Sequence, residues 1–371
     1  MVEASATFDA QTWAAVPFGF WAVVFFVFGT IVGSFLNVCI HRMPREESIV
    51  SPPSHCPHCR YSIPWYLNIP LVTWLYLGGK CRNCGAPISV RYFLVELLTG
   101  VLWLGSWLTF GHDSVALAIV LAVFMSGLVV ATFIDLEHFI IPDEITIGGI
   151  VVGFICSFLV PVLQRVKTPG AAMGQSLVGI AAGAGIVYFF VRAGKLAFGR
   201  QKVAMSPGSR VVFTEETIVL PDSEVRYEDV LYRESDTIVL EAARAELSDR
   251  CYRDVSIRLS ASELKIGEDV LKPEEIPYLE AVTDRLVLPR EVMGLGDVKF
   301  MAAIGAFLGW SGVVFCLFLS SVIGAVAGLG LIALGKRSMG SRLQYGPCLA
   351  IAAVVWIFGG WRWWFWLWKW H

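Results

Sequence analysis

The sequence is dominated by long apolar stretches, each about as long as a membrane-spanning helix. A helix needs about 20 mostly apolar residues to cross the hydrocarbon core of a bilayer. The sequence therefore predicts an all-α polytopic membrane protein with about eight transmembrane helices, the sixth and seventh forming a tight hairpin at Gly309–Gly312. The apolar stretches lie near residues 17–40, 92–110, 115–134, 145–163, 174–192, 299–314, 317–335 and 347–368.

Composition agrees with a membrane protein and excludes an ordinary soluble enzyme. Of the 371 residues, 56% are hydrophobic and 16% are charged, and the mean hydropathy is +0.64. A soluble domain carries about 25% charged residues. Residues 201–290 hold 19 acidic and 12 basic residues, whereas the rest of the chain holds 12 acidic and 17 basic residues. An acidic, water-compatible insert therefore interrupts a basic, apolar body.

Lysine and arginine in the short loops predict the orientation, because such residues concentrate in cytoplasmic loops. Loop 41–91 carries six of them and loop 336–346 carries three, whereas the opposite side carries Arg165 and Lys167. We expect both basic loops and the insert in the cytoplasm, and both termini outside it. The first stretch has no positive residue before it, so we expect an anchor instead of a cleaved signal peptide.

The end of the chain, Trp361–Trp370, is rich in tryptophan and adjoins the last apolar stretch. We interpret it as an aromatic belt at the membrane interface. The alternative is a stacking platform for nucleic-acid bases, but we expect no nucleic-acid partner because the run adjoins a membrane span.

The insert contains short β-branched segments separated by polar breaks, a pattern typical of strands. We expect a mostly β soluble domain with one helical stretch near Glu241–Ser248. The insert shows no metal cluster, phosphate loop or nucleophile motif, which favours a structural or partner-binding module. The segments are Arg210–Phe213, Thr217–Leu220, Thr237–Leu240 and Asp254–Leu259.

Four of the nine cysteines form two C-x2-C turns, Cys56/Cys59 and Cys81/Cys84, separated by 21 residues. Two such turns supply the four thiolates of a tetrahedral zinc site. A cytoplasmic location disfavours disulfides. We therefore expect a structural zinc, with two disulfides or a thiol redox pair as the alternatives. A closed four-thiolate site leaves no position for a catalytic water.

Acidic residues inside membrane spans are candidates for function, because burying their charge is costly. Asp135 ends an apolar run, Asp297 begins the sixth stretch, and both are expected near the cytoplasmic face. Two close carboxyl groups share one proton, so one can activate water while the other protonates a peptide carbonyl. Gly294 and Gly296 remove side chains beside Asp297 and leave room for a peptide backbone.

Other acidic residues near the membrane have structural interpretations. Asp143 is a natural N-cap for a helix that begins at Glu144, although it is also the next catalytic candidate. Glu96 is spaced to meet Arg91 or Tyr92. His138 suits an interfacial position better than a proton relay.

Several motifs occur in an order that resembles one family, the bacterial prepilin peptidases. These are bifunctional leader peptidases and N-methyltransferases that serve type IV pili and type II secretion. The motifs lie between and around the two cysteine turns and at Gly33–Arg42, Pro87–Tyr92, Val95–Gly100, Ile134–His138, Pro142-Asp143, Arg290–Lys299 and Tyr345-Gly346-Pro347.

The resemblance implies a membrane aspartic protease of the Gly-x-Gly-Asp type in the bacterial inner membrane. It places the catalytic pair at Asp135 and Asp297, and Gly294, Gly296, Asp143 and Lys299 are the supporting residues. The implied substrates are prepilins or pseudopilins, cut after a glycine and then methylated from S-adenosylmethionine. No residues that bind this donor can be named. The rival functions are a different intramembrane aspartic protease and a non-enzymatic scaffold or proton-relay transporter.

The insert departs from the family, whose members usually join these two parts by a short loop. About 90 extra residues intervene here, and they are hypothesised to gate substrate access or to bind a pilus-assembly or secretion partner. We expect five regions. They are the first anchor at 1–40, the cysteine loop at 41–91, four spans with Asp135 at 92–200, the insert at 201–289, and the Gly-x-Gly-Asp motif with the last spans at 290–371.

Overall fold

The computed structural model describes most of the chain as two compact units, of which one is Tyr188–Gly294. The other unit combines the described residues before and after it. The described residues are 16–221, 223–227, 230–231, 236–273, 276, 278–289, 294–334 and 344–368.

The first unit is helical, as the apolar stretches predict. Six of its helical segments are long and apolar enough to cross a membrane. The helices are α1 (Phe18–Arg42), α2 (Val72–Tyr76), α3 (Val90–Phe110), α4 (Val115–His138), α5 (Asp143–Leu159), α6 (Pro169–Phe198, which continues into the second unit), α7 (Leu295–Ala333), α8 (Gly346–Val355) and α9 (Trp361–Trp368).

Two helices explain the difference between these six segments and the eight predicted stretches. Helix α5 has 17 residues and rises by about 26 Å, which is shorter than a hydrocarbon core of about 30 Å. Helix α7 runs for 39 residues and contains the sixth stretch and all but the last two residues of the seventh. It is interrupted at Gly309, whose φ of 68° and ψ of 178° are not helical. The interruption falls within the turn predicted at Gly309–Gly312.

Glycines allow α1 and α3 to pack with their backbones close together. A Cβ atom at Gly33 would lie 2.7 Å from the Cα atom of Glu96, and one at Gly29 would lie 2.7 Å from the Cβ atom of Trp103. The two glycines are four residues apart and therefore lie on one helix face, as in the small-residue motifs of membrane helix pairs. This contact fixes the beginning of α3 against the end of α1.

Helices α6 and α7 approach even more closely. A Cβ atom at Gly179 would overlap the carbonyl oxygen of Gly305, and one at Gly183 would overlap that of Met301. Because neither position has room for a side chain, the two glycines determine how near α7 comes to α6.

Polar side chains satisfy the backbone where α7 is interrupted. The last carbonyl groups before a helix break lack partners within the helix. The carbonyl oxygen of Ala306 instead accepts hydrogen bonds from Gln164 Nε2 at 2.7 Å, Ser176 Oγ at 2.9 Å and Ser157 Oγ at 3.2 Å. All three donors are buried, and they hold the first half of α7 as a separate rigid segment.

The second unit contains an eight-stranded antiparallel sheet, which confirms the mostly β insert. Strand β8 is central and pairs with both β1 and β4, and the full order is β3-β2-β1-β8-β4-β5-β6-β7. Its core includes the buried side chains of Val211, Ile218, Leu240, Ile257 and Leu286. The strands are β1 (Arg200–Phe213), β2 (Thr217–Val219), β3 (Glu224–Arg226), β4 (Ile238–Leu247), β5 (Cys251–Leu259), β6 (Leu264–Ile266), β7 (Asp269–Leu271) and β8 (Leu279–Pro289).

The helix predicted near Glu241–Ser248 is wrong, because all of this segment except Ser248 belongs to β4. Its alanine and glutamate residues favour a helix when taken alone. Burial instead alternates at the start of the strand, with Ile238, Leu240 and Ala242 inside and Glu241 exposed. Pairing with β5 and β8 on both sides outweighs the local preference.

A Gly179→Ala substitution tests the close packing of α6 on α7. We expect it to lower the free energy of unfolding by about 1–3 kcal/mol, because the new methyl group forces the helix backbones apart. Thermal unfolding in detergent measures the loss. Gly185→Ala on the same helix is the matched control, since its methyl group meets open space. Equal melting temperatures for the two variants would contradict this packing argument.

Candidate active site

Asp135 lies in the last turn of α4 and is 7% exposed. The helix continues beyond Asp135 to His138, so it extends past the end of the apolar stretch predicted at 115–134. Its Oδ2 atom accepts a hydrogen bond from the backbone amide of Gly346 at 3.1 Å. A Cβ atom at Gly346 would lie 2.7 Å from this oxygen. Only glycine therefore permits the hydrogen bond with this geometry.

The segment that carries Gly346 is connected to two helices. The hydroxyl group of Tyr345 is 2.7 Å from Ser320 Oγ and 3.1 Å from Ser321 Oγ, both on α7. Gln344 Nε2 donates to the carbonyl oxygen of Leu136 on α4 at 2.9 Å. These bonds hold the amide of Gly346 in place, and with it the carboxylate of Asp135.

Asp297 lies in the first turn of α7, and Ile141 links its neighbourhood to that of Asp135. A Cβ atom at Gly296 would lie 3.6 Å from Ile141 Cβ, and one at Gly346 would lie 3.3 Å from Ile141 Cδ1. Ile141 thus contacts both the amide partner of Asp135 and the residue before Asp297. Through Ile141, the surroundings of the two predicted aspartates adjoin each other.

Asp143 is not the N-cap that the sequence suggested. Helix α5 begins at Asp143 itself, and its N-cap is Pro142. The Asp143 carboxylate instead binds Lys299 Nζ, with distances of 2.7 Å to Oδ1 and 2.9 Å to Oδ2. An acidic residue is favourable in the first turn of a helix. Here the ion pair also joins the start of α5 to the start of α7, because Lys299 lies two residues after Asp297.

The remaining polar residues near the membrane have partners that the sequence did not indicate. Glu96 Oε2 accepts a hydrogen bond from the backbone amide of Leu71 at 2.8 Å, so the expected contact with Arg91 or Tyr92 is wrong. Arg91 instead forms an ion pair with Glu137 of α4. His138 is the last residue of α4 and is half-buried. Gly294 is exposed and is the last residue of the second unit.

The four predicted cysteines form one cluster, with their sulfur atoms all within 4.8 Å of one another. The Sγ atoms of Cys56 and Cys84 are 3.8 Å apart, and those of Cys59 and Cys81 are 4.0 Å apart. Four thiolates at 2.3 Å from a tetrahedral metal would be separated by about 3.8 Å. The same distances are far longer than the roughly 2.05 Å of a disulfide. The donor set therefore fits a metal ion.

The two cysteine turns have the same backbone geometry. The amide of Arg60 donates to the carbonyl of Cys56, and that of Gly85 donates to the carbonyl of Cys81, both at 2.9 Å. Arg60 and Gly85 occupy equivalent places and have positive φ angles of 57° and 71°. Each turn thus presents its two sulfurs to the same side.

The environment of Cys59 favours its thiolate form, which is the form that binds metals. The side-chain amide of Asn83 lies 3.5 Å from Cys59 Sγ and donates to it. This hydrogen bond, together with one from the backbone, lowers the pKa of the Cys59 thiol to about 6. Hydrogen bonds from the backbone of Cys84 and Asn83 likewise lower the pKa of Cys81.

The fold and the site define a class: an integral membrane protein with a buried aspartate at the end of one helix, a second aspartate at the start of another, and a four-cysteine loop. Comparison with family models narrows the class. Residues 27–110 match the bacterial peptidase A24 N-terminal domain, and residues 122–213 and 276–329 match the type IV leader peptidase family. Together the two matches cover more than half of the chain, and the chain belongs to the type IV leader peptidase family.

Individual relatives agree with this assignment. A prepilin leader peptidase/N-methyltransferase of Myxococcus xanthus is 50% identical over 138 residues, a match that spans 37% of this chain and 40% of the relative. Proteins of the same name from Aeromonas hydrophila and Legionella pneumophila are 28% and 26% identical over 92% and 90% of both chains. No solved structure matches the chain.

The motif Tyr345-Gly346-Pro347 had no role predicted from the sequence. The structure gives Gly346 the role of holding Asp135, with Tyr345 anchoring it. A glycine followed by proline indicates the start of a helix, because proline is favoured at the first helical position and donates no amide hydrogen bond. The partner of the glycine amide is Asp135, 211 residues away in sequence, and this pairing could not be predicted from the sequence.

A Gly346→Ala substitution tests this arrangement. We expect a loss of prepilin cleavage of at least about tenfold, since the methyl group would displace the Asp135 carboxylate and misplaced catalytic groups cost about this much or more. Initial rates with purified protein in detergent measure the effect. Gly127→Ala on α4, where a methyl group meets open space, is the control. Full activity of Gly346→Ala would show that this contact does not position Asp135.

Proposed function

We propose that this chain cleaves the leader peptide from prepilins or pseudopilins with Asp135 and Asp297 as the catalytic pair. The observation that carries the proposal is the position of Ile141, which contacts both Gly346, the partner of Asp135, and Gly296, the neighbour of Asp297. Membership of the type IV leader peptidase family supports the reaction, and the names of the relatives supply the substrate class.

The proposed mechanism needs one proton shared between the two carboxyl groups. The ionised carboxylate takes a proton from a water molecule, whose oxygen then attacks the scissile carbonyl carbon. The protonated carboxyl group gives its proton to the carbonyl oxygen. The tetrahedral diol intermediate then collapses as the C–N bond breaks. The carboxyl group that took the proton from water gives it to the leaving amine, and one hydroxyl of the diol returns its proton to the other carboxylate as the new acid carbonyl forms. The site thereby ends with one shared proton again.

Nearby residues support this chemistry by position. Gly294 and Gly296 leave space beside Asp297 for the backbone of the substrate, which is cut after its own glycine. The ion pair between Asp143 and Lys299 holds the starts of α5 and α7 together.

The relatives' names also include N-methyltransferase, and we propose that this chain methylates the newly exposed N-terminus. S-adenosylmethionine is the methyl donor in this proposal. The four-cysteine cluster would bind zinc through Cys56, Cys59, Cys81 and Cys84. A zinc ion there would cross-link the two turns and stabilise the loop without taking part in hydrolysis.

Eight membrane crossings in the bacterial inner membrane complete the proposal. The cysteine loop, the catalytic pair and the β unit then face the cytoplasm, as the basic loops require. In this assignment α5 crosses the membrane once, and each half of α7 crosses it once. The acidic insert, predicted at 201–289, would bind a pilus-assembly or secretion partner.

Aspartate substitutions test the catalytic pair. Asp135→Asn and Asp297→Asn should each reduce cleavage of a purified prepilin by at least about 10³-fold, because neither amide can exchange the shared proton. Mass spectrometry of the substrate reports cleavage and methylation together. Asp254→Asn in the β unit is the control and should cleave at the normal rate. If either pair variant kept full activity while folded, the assignment would be wrong and Asp143 would be the next residue to test.

Metal analysis tests the cysteine cluster. Purified protein should contain about one zinc per chain, and Cys56→Ser should lower both the zinc content and the melting temperature. The cleavage rate per folded molecule should stay close to that of the unsubstituted protein even though the melting temperature falls, because the ion is structural. Intact-mass measurement provides the check on the alternatives. A mass four hydrogens lower than the reduced chain, with no metal, would indicate two disulfides instead.

A further inference from the structure

The segment between the two cysteine turns has an unusual composition for a loop outside the membrane. The 19 residues from 61 to 79 contain no charged side chain, whereas Arg60 and Lys80 flank them directly. We call residues 61–79 the apolar segment. It includes the short helix α2, and several of its large side chains are left uncovered by the described residues. Trp65 is 82% exposed, Tyr76 is 79% exposed and Leu75 is 62% exposed.

The apolar segment is attached to the side of α3, not held above its end. The backbone amide of Leu71 donates to the Glu96 carboxylate at 2.8 Å. The ring of Trp74 lies 5.2 Å from the ring of Phe93, and its indole nitrogen donates to the carbonyl oxygen of Ile88 at 3.3 Å. These contacts place the middle of the segment next to the first two turns of α3.

The length of α3 shows at what depth this attachment lies. Its 21 residues rise by about 31 Å at 1.5 Å per residue, which matches a hydrocarbon core of about 30 Å. Glu96 is six residues from the start of the helix and therefore about 9 Å along its axis. The Glu96 side chain tilts toward the start of the helix, so the amide of Leu71 that it binds lies within these first 9 Å. A segment attached there cannot lie wholly in water if α3 spans the bilayer.

The chemistry of the exposed side chains agrees with this depth. Tryptophan and tyrosine concentrate at membrane–water interfaces, where the ring is in contact with lipid and its polar group with water. Leucine and valine side chains gain by leaving water for lipid. The basic residues at both ends, Arg60 and Lys80, suit the phosphate groups of lipid headgroups.

We propose that the apolar segment inserts into the lipid bilayer at its interface, beside α3. The occupant of its exposed face is phospholipid, with acyl chains around Leu75 and headgroups around Arg60 and Lys80. The cysteine cluster is then held against the membrane surface by an anchor that does not cross the membrane. The hydrogen bond that Glu96 accepts has a clear role in this arrangement, since it satisfies the backbone amide of Leu71, which would otherwise lack a partner in lipid.

Site-specific photocrosslinking tests the proposal with the full chain. Benzoylphenylalanine replaces Trp65 or Tyr76, in separate variants, and the proteins are reconstituted in nanodiscs of phosphatidylethanolamine and phosphatidylglycerol with a purified prepilin present. Val101, exposed in the middle of α3, is the lipid-facing control, and Val270, exposed in the β unit, is the water-facing control. Mass spectrometry after illumination identifies the crosslinked molecule.

We expect lipid adducts at positions 65 and 76 at a yield within about threefold of the Val101 variant and at least about tenfold above the Val270 variant. Adducts mainly to prepilin would overturn the proposal and make this face a substrate-binding surface. Adducts mainly to a second copy of the chain would overturn it in favour of a dimer interface. Lipid adducts no more abundant than at Val270 would also overturn it. Both labelled positions are already exposed, so the substitutions should not disturb folding. Cleavage of prepilin by each variant checks that it remains folded.

Discussion

A carboxylate buried within an apolar helix bundle is costly unless it has partners, and Asp135 is such a group. The amide of Gly346 is its described hydrogen-bond partner, and the contact requires that residue 346 carry no side chain. Tyr345 and Gln344 fix the position of this glycine by bonding to α7 and α4. The arrangement of three helices around the site thus follows from the need to place one backbone amide beside one carboxylate.

Close helix packing supplies the rigidity that such a site needs. Gly33 lets α1 approach α3, and Gly179 lets α6 approach α7, so that backbones are in contact where most helices are separated by side chains. The interruption at Gly309 shortens the part of α7 that carries Asp297, and Gln164 stabilises its end. Reactive groups held this rigidly stay aligned with the substrate without further ordering when it binds.

Local patterns in the sequence were sufficient for the parts of the structure that depend on local chemistry. Apolar runs predicted the positions of the long helices, β-branched segments predicted a mostly β insert, and C-x2-C spacing predicted the cysteine cluster. The failures have one physical cause, which is that the decisive partner is distant in the chain. Asp143 binds Lys299 instead of capping its own helix, Glu96 binds the amide of Leu71, and pairing with β8 holds all but the last residue of the helix-favouring Glu241–Ser248 in β4.

The proposed mechanism requires Asp135 and Asp297 to act together by sharing one proton. The most direct test is the pH dependence of prepilin cleavage by the purified protein under single-turnover conditions, where the chemical step sets the rate. A shared proton requires that the rate fall on both sides of an optimum, since the pair is inactive when both groups are protonated and when both are ionised. A rate that rises with pH to a plateau, or that does not change across the range in which the protein remains folded, would contradict the account.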